Sequence, residues 1–190
     1  MNTAVIFDSL GGNTGRVALA IRETVERHDL PCAVVKVNGE TEFNFFDYDL
    51  VFIGSPVIDW LPTRRIMDFV KNRMTAYNRG GLIKPASPLI PGKFGVCFGT
   101  FAGPHIGERE ARPMTMWLDS FLGHLGFSVL DHWHVPGAFS DPAKEAMNRC
   151  GRLGDIRNRP NDNDLADIGN RVAGILSHLE AWSPPGREPV

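Results

Sequence analysis

The segment Asp8-Ser9-Leu10-Gly11-Gly12-Asn13-Thr14-Gly15 carries the residue types of an anion cradle. It follows the apolar run Ala4-Val5-Ile6-Phe7 and precedes a stretch in which Val17, Ala20, Ile21 and Val25 share one helical face. A strand, a Gly-rich turn and a helix in that order leave free backbone N–H groups at the turn. The helix dipole favours negative charge at the same place. Ser9 and Thr14 add hydroxyl donors and Asn13 an amide, while Gly11 and Gly12 permit close backbone approach. A tight turn with a helix cap accounts for the same composition without a ligand. The turn contains neither G-x-x-x-x-G-K-[ST] nor G-x-G-x-x-G. It is therefore not an ATP or GTP P-loop, and a dinucleotide site is disfavoured.

Other reactive residues carry weaker signals. Asp131-His132-Trp133-His134 would put His132 and His134 on one face if a strand continues through them, but no third ligand is apparent and no metal is expected. Cys32, Cys97 and Cys150 stand far apart with no C-x-x-C, which argues against disulfides, zinc and iron–sulfur clusters; buried or inert thiols are expected. His105 is a candidate for touching a ligand, with an ordinary loop histidine as the simpler account. Arg16 is expected to be a solvated first-turn arginine rather than an anion ligand. No Ser/His/Asp or Cys/His constellation stands out, so no catalytic residue is assigned.

The elements that must position the cradle alternate. Ala33-Val34-Val35-Lys36-Val37 is β-branched and strand-like. Leu50-Val51-Phe52-Ile53 is wholly apolar, as a strand covered on both faces should be. Ile66, Phe69 and Val70 mark a helix announced by Pro62. Phe94-Gly95-Val96-Cys97-Phe98 and Phe127-Ser128-Val129-Leu130 read as the fourth and fifth strands. Met114, Trp117, Leu118, Phe121, Leu122 and Leu125 make a helical stripe between them, and Leu165, Ile168, Val172, Ile175, Leu176 and Leu179 mark a last helix. This alternation predicts an α/β fold with a doubly wound, five-stranded parallel sheet in the order 2-1-3-4-5 and right-handed crossovers. A single domain is expected over 1–182, with a flexible tail at 183–190.

Two connections exceed what such a fold needs. Residues 76–91 join a helix to a strand and so lie at the N-terminal sheet edge. Residues 136–164 leave the C-terminal edge, where α/β sheets bind ligands. Within the second, Asp141 reads as an N-cap, Pro142 as a first helical residue and Gly151 as a stop. Its charged residues Lys144, Arg149, Arg152, Asp155, Arg157 and Arg159 are most simply a solvated face. If the segment folds over the site, they would instead meet a partner or an anionic substrate.

The 190 residues are 43% hydrophobic and 22% charged, ordinary for a folded chain and too apolar for disorder. A formal net charge of -2 excludes a broad basic surface, so no nucleic-acid partner is expected. No apolar run approaches the ~20 residues of a membrane span. No export signal is visible at the N-terminus, which predicts a cytoplasmic protein without a membrane partner.

Three segments together resemble the flavodoxins and flavodoxin-like domains. Ser9-Leu10-Gly11-Gly12-Asn13-Thr14 is similar to that family's S/T-x-T/S-G-N-T phosphate loop. Tyr48-Asp49-Leu50-Val51-Phe52-Ile53-Gly54-Ser55-Pro56-Val57 resembles its second strand-and-loop, with G-S/T-P before the flavin-contacting residues. Val96-Cys97-Phe98-Gly99-Thr100-Phe101-Ala102-Gly103 resembles its third loop. The resemblance runs over roughly residues 3–180, with little guidance in 76–91 and 136–164. It implies FMN as cofactor. The phosphate would sit on Ser9, Leu10, Gly11, Gly12, Asn13 and Thr14. The ring would lie between Ser55, Pro56, Val57, Ile58, Asp59, Trp60 and Thr100, Phe101, Ala102, Gly103, with Trp60 placed to stack on it. A core or interface tryptophan is the alternative for Trp60, and Phe101 carries the same ambiguity. Two departures stand out. Gly11 replaces a hydroxyl residue, and the second loop has no glycine, which leaves Asp59 as the residue best able to take positive φ there.

The resemblance implies an FMN-binding protein that transfers electrons between redox partners. The alternative is an FMN-dependent oxidoreductase taking hydride from NAD(P)H and reducing a quinone or other small acceptor. The near-neutral charge counts against the first, since small flavodoxins are usually strongly acidic, and the extra 136–164 segment favours the second. A homodimer stays open. A receiver-like signalling module fits poorly, because Gly54-Ser55-Pro56 stands where a phosphorylatable Asp would be needed.

Overall fold

The computed structural model describes residues 1–182; the expected tail at 183–190 lies outside the described residues. In chain order the elements are β1 (Thr3–Phe7), α1 (Asn13–Arg27), β2 (Cys32–Lys36), β3 (Leu50–Pro56), α2 (Arg64–Arg79), β4 (Phe94–Phe101), α3 (Arg112–His124), β5 (Ser128–Pro136), α4 (Glu145–Cys150) and α5 (Asp162–Trp182). All strand pairs are parallel, and the order is β2-β1-β3-β4-β5, as the alternation predicts.

The central strands are apolar on both faces because helices cover both. Ala4, Ile6, Val51, Ile53 and Cys97 pack against Ile66, Phe69 and Val70 of α2 and Met114, Leu118 and Leu122 of α3. Val5, Phe7, Leu50, Phe52, Val96 and Phe98 pack against Val17, Ala18 and Ile21 of α1 and Ile168, Val172 and Leu176 of α5. At about 1.5–3 kcal/mol per fully buried large apolar side chain, these two layers are the principal stabilising term. Gly54 sits in β3 because the ring of Phe98 fills the space of its side chain, 2.3 Å from where a Cβ would lie.

Three strands run longer than their apolar runs suggest. β3 extends to Pro56, β4 to Phe101 and β5 to Pro136, because the ladder continues through Pro56↔Thr100 and Phe101↔Pro136. Ser55, Pro56, Thr100 and Phe101 therefore end strands instead of sitting in loops. Pro56 costs no ladder bond. Val57 N–H already bonds Thr100 O toward β4 (2.9 Å), so the nitrogen of Pro56 faces the other side, where β1 has ended at Phe7.

β5 begins at Ser128, one residue later than expected. A register shift opposite Gly95/Val96 leaves Leu130 unpaired, and beyond it the strand places Trp133 inward against Phe52, with ring centroids 5.7 Å apart. His132 and His134 do share the opposite face. His132 Nε2 bonds Asp119 Oδ2 at 2.7 Å; His134 bonds Thr115 Oγ1 at 2.8 Å and Glu108 Oε1 at 3.0 Å. These contacts fasten the edge strand to α3 and the turn before it. No helix among the described residues is long and apolar enough to cross a membrane.

Candidate functional site

Asp8 follows β1 directly, and its side chain is fully buried. Its carboxylate accepts from Ser9 N (2.8 Å), Thr63 Oγ1 (2.8 Å) and Arg65 Nη1 (2.6 Å). Thr63 also N-caps α2, and its own N–H donates to Ser55 Oγ at 2.9 Å. One buried carboxylate thus locks the first loop to the end of β3 and the start of α2. Ser55, fully buried, belongs to this bracket.

The turn that follows is open toward solvent at its backbone. Gly12 caps α1 at φ 93, offering no side chain of its own to the helix N–H groups, and the first turn has no acidic residue. The N–H groups of residues 10–14 meet no acceptor among the described residues. A run of free donors at an uncompensated helix start is the electrostatic requirement for holding an oxyanion. Ser9 Oγ accepts from Gly15 N (3.2 Å), which leaves its proton free. Thr14 Oγ1 pairs with Thr100 Oγ1 at 2.8 Å, tying the turn to β4. Asn13 is committed elsewhere: its amide donates to Ala138 O at 2.8 Å. Leu10 projects into solvent at 62% exposure. Arg16 is exposed, as the sequence suggests, and its guanidinium also donates to Pro160 O.

After β3 the chain makes a tight turn. Ile58 and Leu61 exchange both N–H···O bonds at 2.9 Å, and Asp59 (φ 48) and Trp60 (φ 67) between them both take positive φ. This is the geometry of a type I′ turn, which demands φ > 0 at both central positions. Asp59 fills the role expected of it. Trp60 shares the strain, which for a residue with a Cβ is of order 1–2 kcal/mol, and its side chain is held out from the sheet edge at 57% exposure.

After β4, Phe101 is buried and meets the ring of His134 edge-on, centroids 6.5 Å apart. Gly103 (φ 55) lets the chain turn back, where a Cβ would press to 2.9 Å on the Gly107 carbonyl. Glu110 holds this turn by accepting from both His105 N and Ile106 N at 2.8 Å.

The second and third loops face each other across a cleft of about 590 Å³. Val57, Ile58, Asp59, Trp60, Phe101, Ala102 and Gly103 line it, as does His105. The 136–164 segment supplies a further wall, Phe139, Lys144 and Met147, with Lys144 Nζ 4.7 Å above the Phe139 ring. Its expected caps are present: Asp141 accepts from Ala143 N, Pro142 opens the turn, and Gly151 ends α4. Asn148, buried, clamps Phe139 by accepting from its N–H (2.8 Å) and donating to its carbonyl (3.1 Å). Arg152 N bonds Pro104 O (2.9 Å), joining the wall to the third loop. Arg149, Arg157 and Arg159 pair within the segment with Glu145, Asp155 and Asp164. Arg157 draws the Asp155 carboxyl down to about 2. These arginines spend their charge locally. Burial pushes the Cys97 thiol well up and the Cys32 thiol up, which makes both poor nucleophiles; Cys150 is exposed. No group of three side chains that could hold a metal occurs among the described residues.

No protein-family model matches this chain, and no curated protein matches it by sequence. Solved structures do match. Oxidised flavodoxin 1 from Bacillus cereus superposes with TM-score 0.66 at 18% identity, over 94% of this chain and 99% of that one. A flavodoxin, WrbA-like protein from Agrobacterium tumefaciens gives 0.59 at 15%, over 93% and 98%. A Fusobacterium nucleatum flavodoxin bound to flavin mononucleotide gives 0.59 at 11%, over 93% and 98%. The fold is flavodoxin-like.

Proposed function

We propose that the cleft binds FMN and that the protein passes electrons between redox partners. The observation that carries this is the adjacency of two features at one sheet edge. Unpaired N–H groups at residues 10–14 stand at the uncompensated start of α1, and an aromatic-lined cleft stands between the ends of β3 and β4. Thr14 and Thr100 join the two. These residues fit the cofactor's halves: a dianionic phosphate for the donors, a flat apolar ring for Trp60 and Phe101. The structures of flavodoxins that superpose on this chain, one of them bound to flavin mononucleotide, support the assignment.

In this account the N–H groups of 10–14, with the hydroxyls of Ser9 and Thr14, hold the phosphate, and residues 57–60 and 101–103 flank the ring. FMN supplies one- and two-electron redox chemistry when bound. The chain's own contribution is to orient the ring, exclude water with Trp60 and Phe101, and leave one edge reachable. Ile58, Trp60, Ile106 and Met147, which line the cleft and are all more than a third exposed, form an apolar rim suited to brief docking of a redox partner protein or small acceptor.

A second reading is an oxidoreductase fed by NAD(P)H. The wall of Phe139, Lys144 and Met147 favours it, since it sets a cationic side chain beside the cleft, as an anionic nicotinamide cofactor would need. Stopped-flow mixing of flavin-loaded protein with NADH and NADPH separates the two. A carrier shows no direct reduction by either, and rapid bleaching of the flavin band makes it an enzyme.

A further inference from the structure

We infer that Ser140 binds the phosphate, supplying from the segment after β5 the hydroxyl that Gly11 lacks. This rests on residues 9–14 being the phosphate cradle of FMN. A Cβ built on Gly11 would lie 2.6 Å from Ser140 Oγ and 3.0 Å from Ser140 Cβ. The Ser140 hydroxyl therefore occupies the volume into which a side chain at position 11 would project, directly over the open turn. Ser140 makes no hydrogen bond to any described residue, so its proton is available. The cap of the adjoining helical turn is Asp141, not Ser140.

The segment is fastened in this position from both sides. Asn13 of the turn donates to Ala138 O, and Gly137 lies so close to it that a Cβ would stand 2.8 Å from Asn13 Nδ2. Ala138 N bonds Arg159 O at 3.0 Å, and Asn148 grips both backbone groups of Phe139. The same strap that walls the ring cleft thus delivers a hydroxyl to the other end of the site. Gly11 is required here for space, because any side chain would displace that hydroxyl. Its backbone lies outside the left-handed region, so a serine at 11 is sterically barred only by Ser140.

The test is reciprocal. Flavin-free full-length protein is titrated with FMN and with riboflavin, following flavin fluorescence, for wild type, Ser140→Ala and the double variant Gly11→Ser with Ser140→Gly, which also removes the Cβ that a side chain at 11 would meet at 3.0 Å. Wild type should prefer FMN. Ser140→Ala should weaken FMN by about ten- to one-hundred-fold, as for a hydrogen bond to a charged group, with riboflavin unchanged. The double variant should recover most of the loss, since the hydroxyl returns from the other side of the same space. An unchanged FMN affinity in Ser140→Ala, or an equal loss for both ligands, overturns the role of Ser140 while wild-type preference for FMN keeps the cradle. A wild type with no preference for FMN overturns the cradle and the inference with it.

Discussion

Replacing Asp8 by Ala removes the acceptor on which the first loop turns. The carboxylate is fully buried and takes three donors, from Ser9, Thr63 and Arg65. The Arg65 side chain is 46% exposed, so its guanidinium can return to water; the ion pair itself counts for no more than about 1 kcal/mol. The larger cost falls on the two neutral donors. Ser9 and Thr63 are 7% and 4% exposed, and each buried donor left without an acceptor costs about 1–3 kcal/mol. The sum is roughly 2–7 kcal/mol, a large share of the ~5–15 kcal/mol of a typical domain. Asp8→Asn keeps one acceptor oxygen and should lose about half as much. Urea unfolding at constant m-value measures both. A loss below about 1 kcal/mol for Asp8→Ala would refute the view that this carboxylate fixes the loop.

Trp60→Ala should brighten bound flavin and raise its midpoint potential, because an apolar face that disfavours the charged reduced ring is removed; an unchanged spectrum and potential would place Trp60 away from it. Asp59→Gly should raise stability by up to about 1 kcal/mol in urea, since glycine takes the φ of 48 without strain, and a loss would show that the Asp59 side chain contributes more than its backbone costs. The Asp155 carboxyl should titrate near 2 by NMR and return toward 3.8 in Arg157→Ala. Because its folded value is depressed, whatever stability it lends is present above about 3.8 and is lost as pH falls through 2.

Apolar runs made the sheet legible. Leu50-Val51-Phe52-Ile53 has to be buried on both faces, and with the strand–helix alternation that dictates a parallel sheet between two helix layers. The strand ends were not legible, because Gly54-Ser55-Pro56 and Gly99-Thr100-Phe101 have no strand character of their own and are extended only by their neighbours. Asp59 was legible as a residue tolerant of positive φ. Trp60 was not, since its φ follows from the pairing of Ile58 with Leu61. The Asp8 bracket escaped because Thr63 and Arg65 lie 55 and 57 residues along the chain. An acidic residue directly after the apolar run Ala4–Phe7 was the available signal. The caps of the 136–164 segment could be read locally from Asp141-Pro142 and Gly151. That it walls the cleft depends on Asn148 gripping Phe139, a contact no local pattern announces.

Calorimetric titration of flavin-free protein tests the central claim most directly. FMN should bind at one site per chain, more tightly than riboflavin, with inorganic phosphate competing for the difference. Absence of heat with FMN would contradict the account.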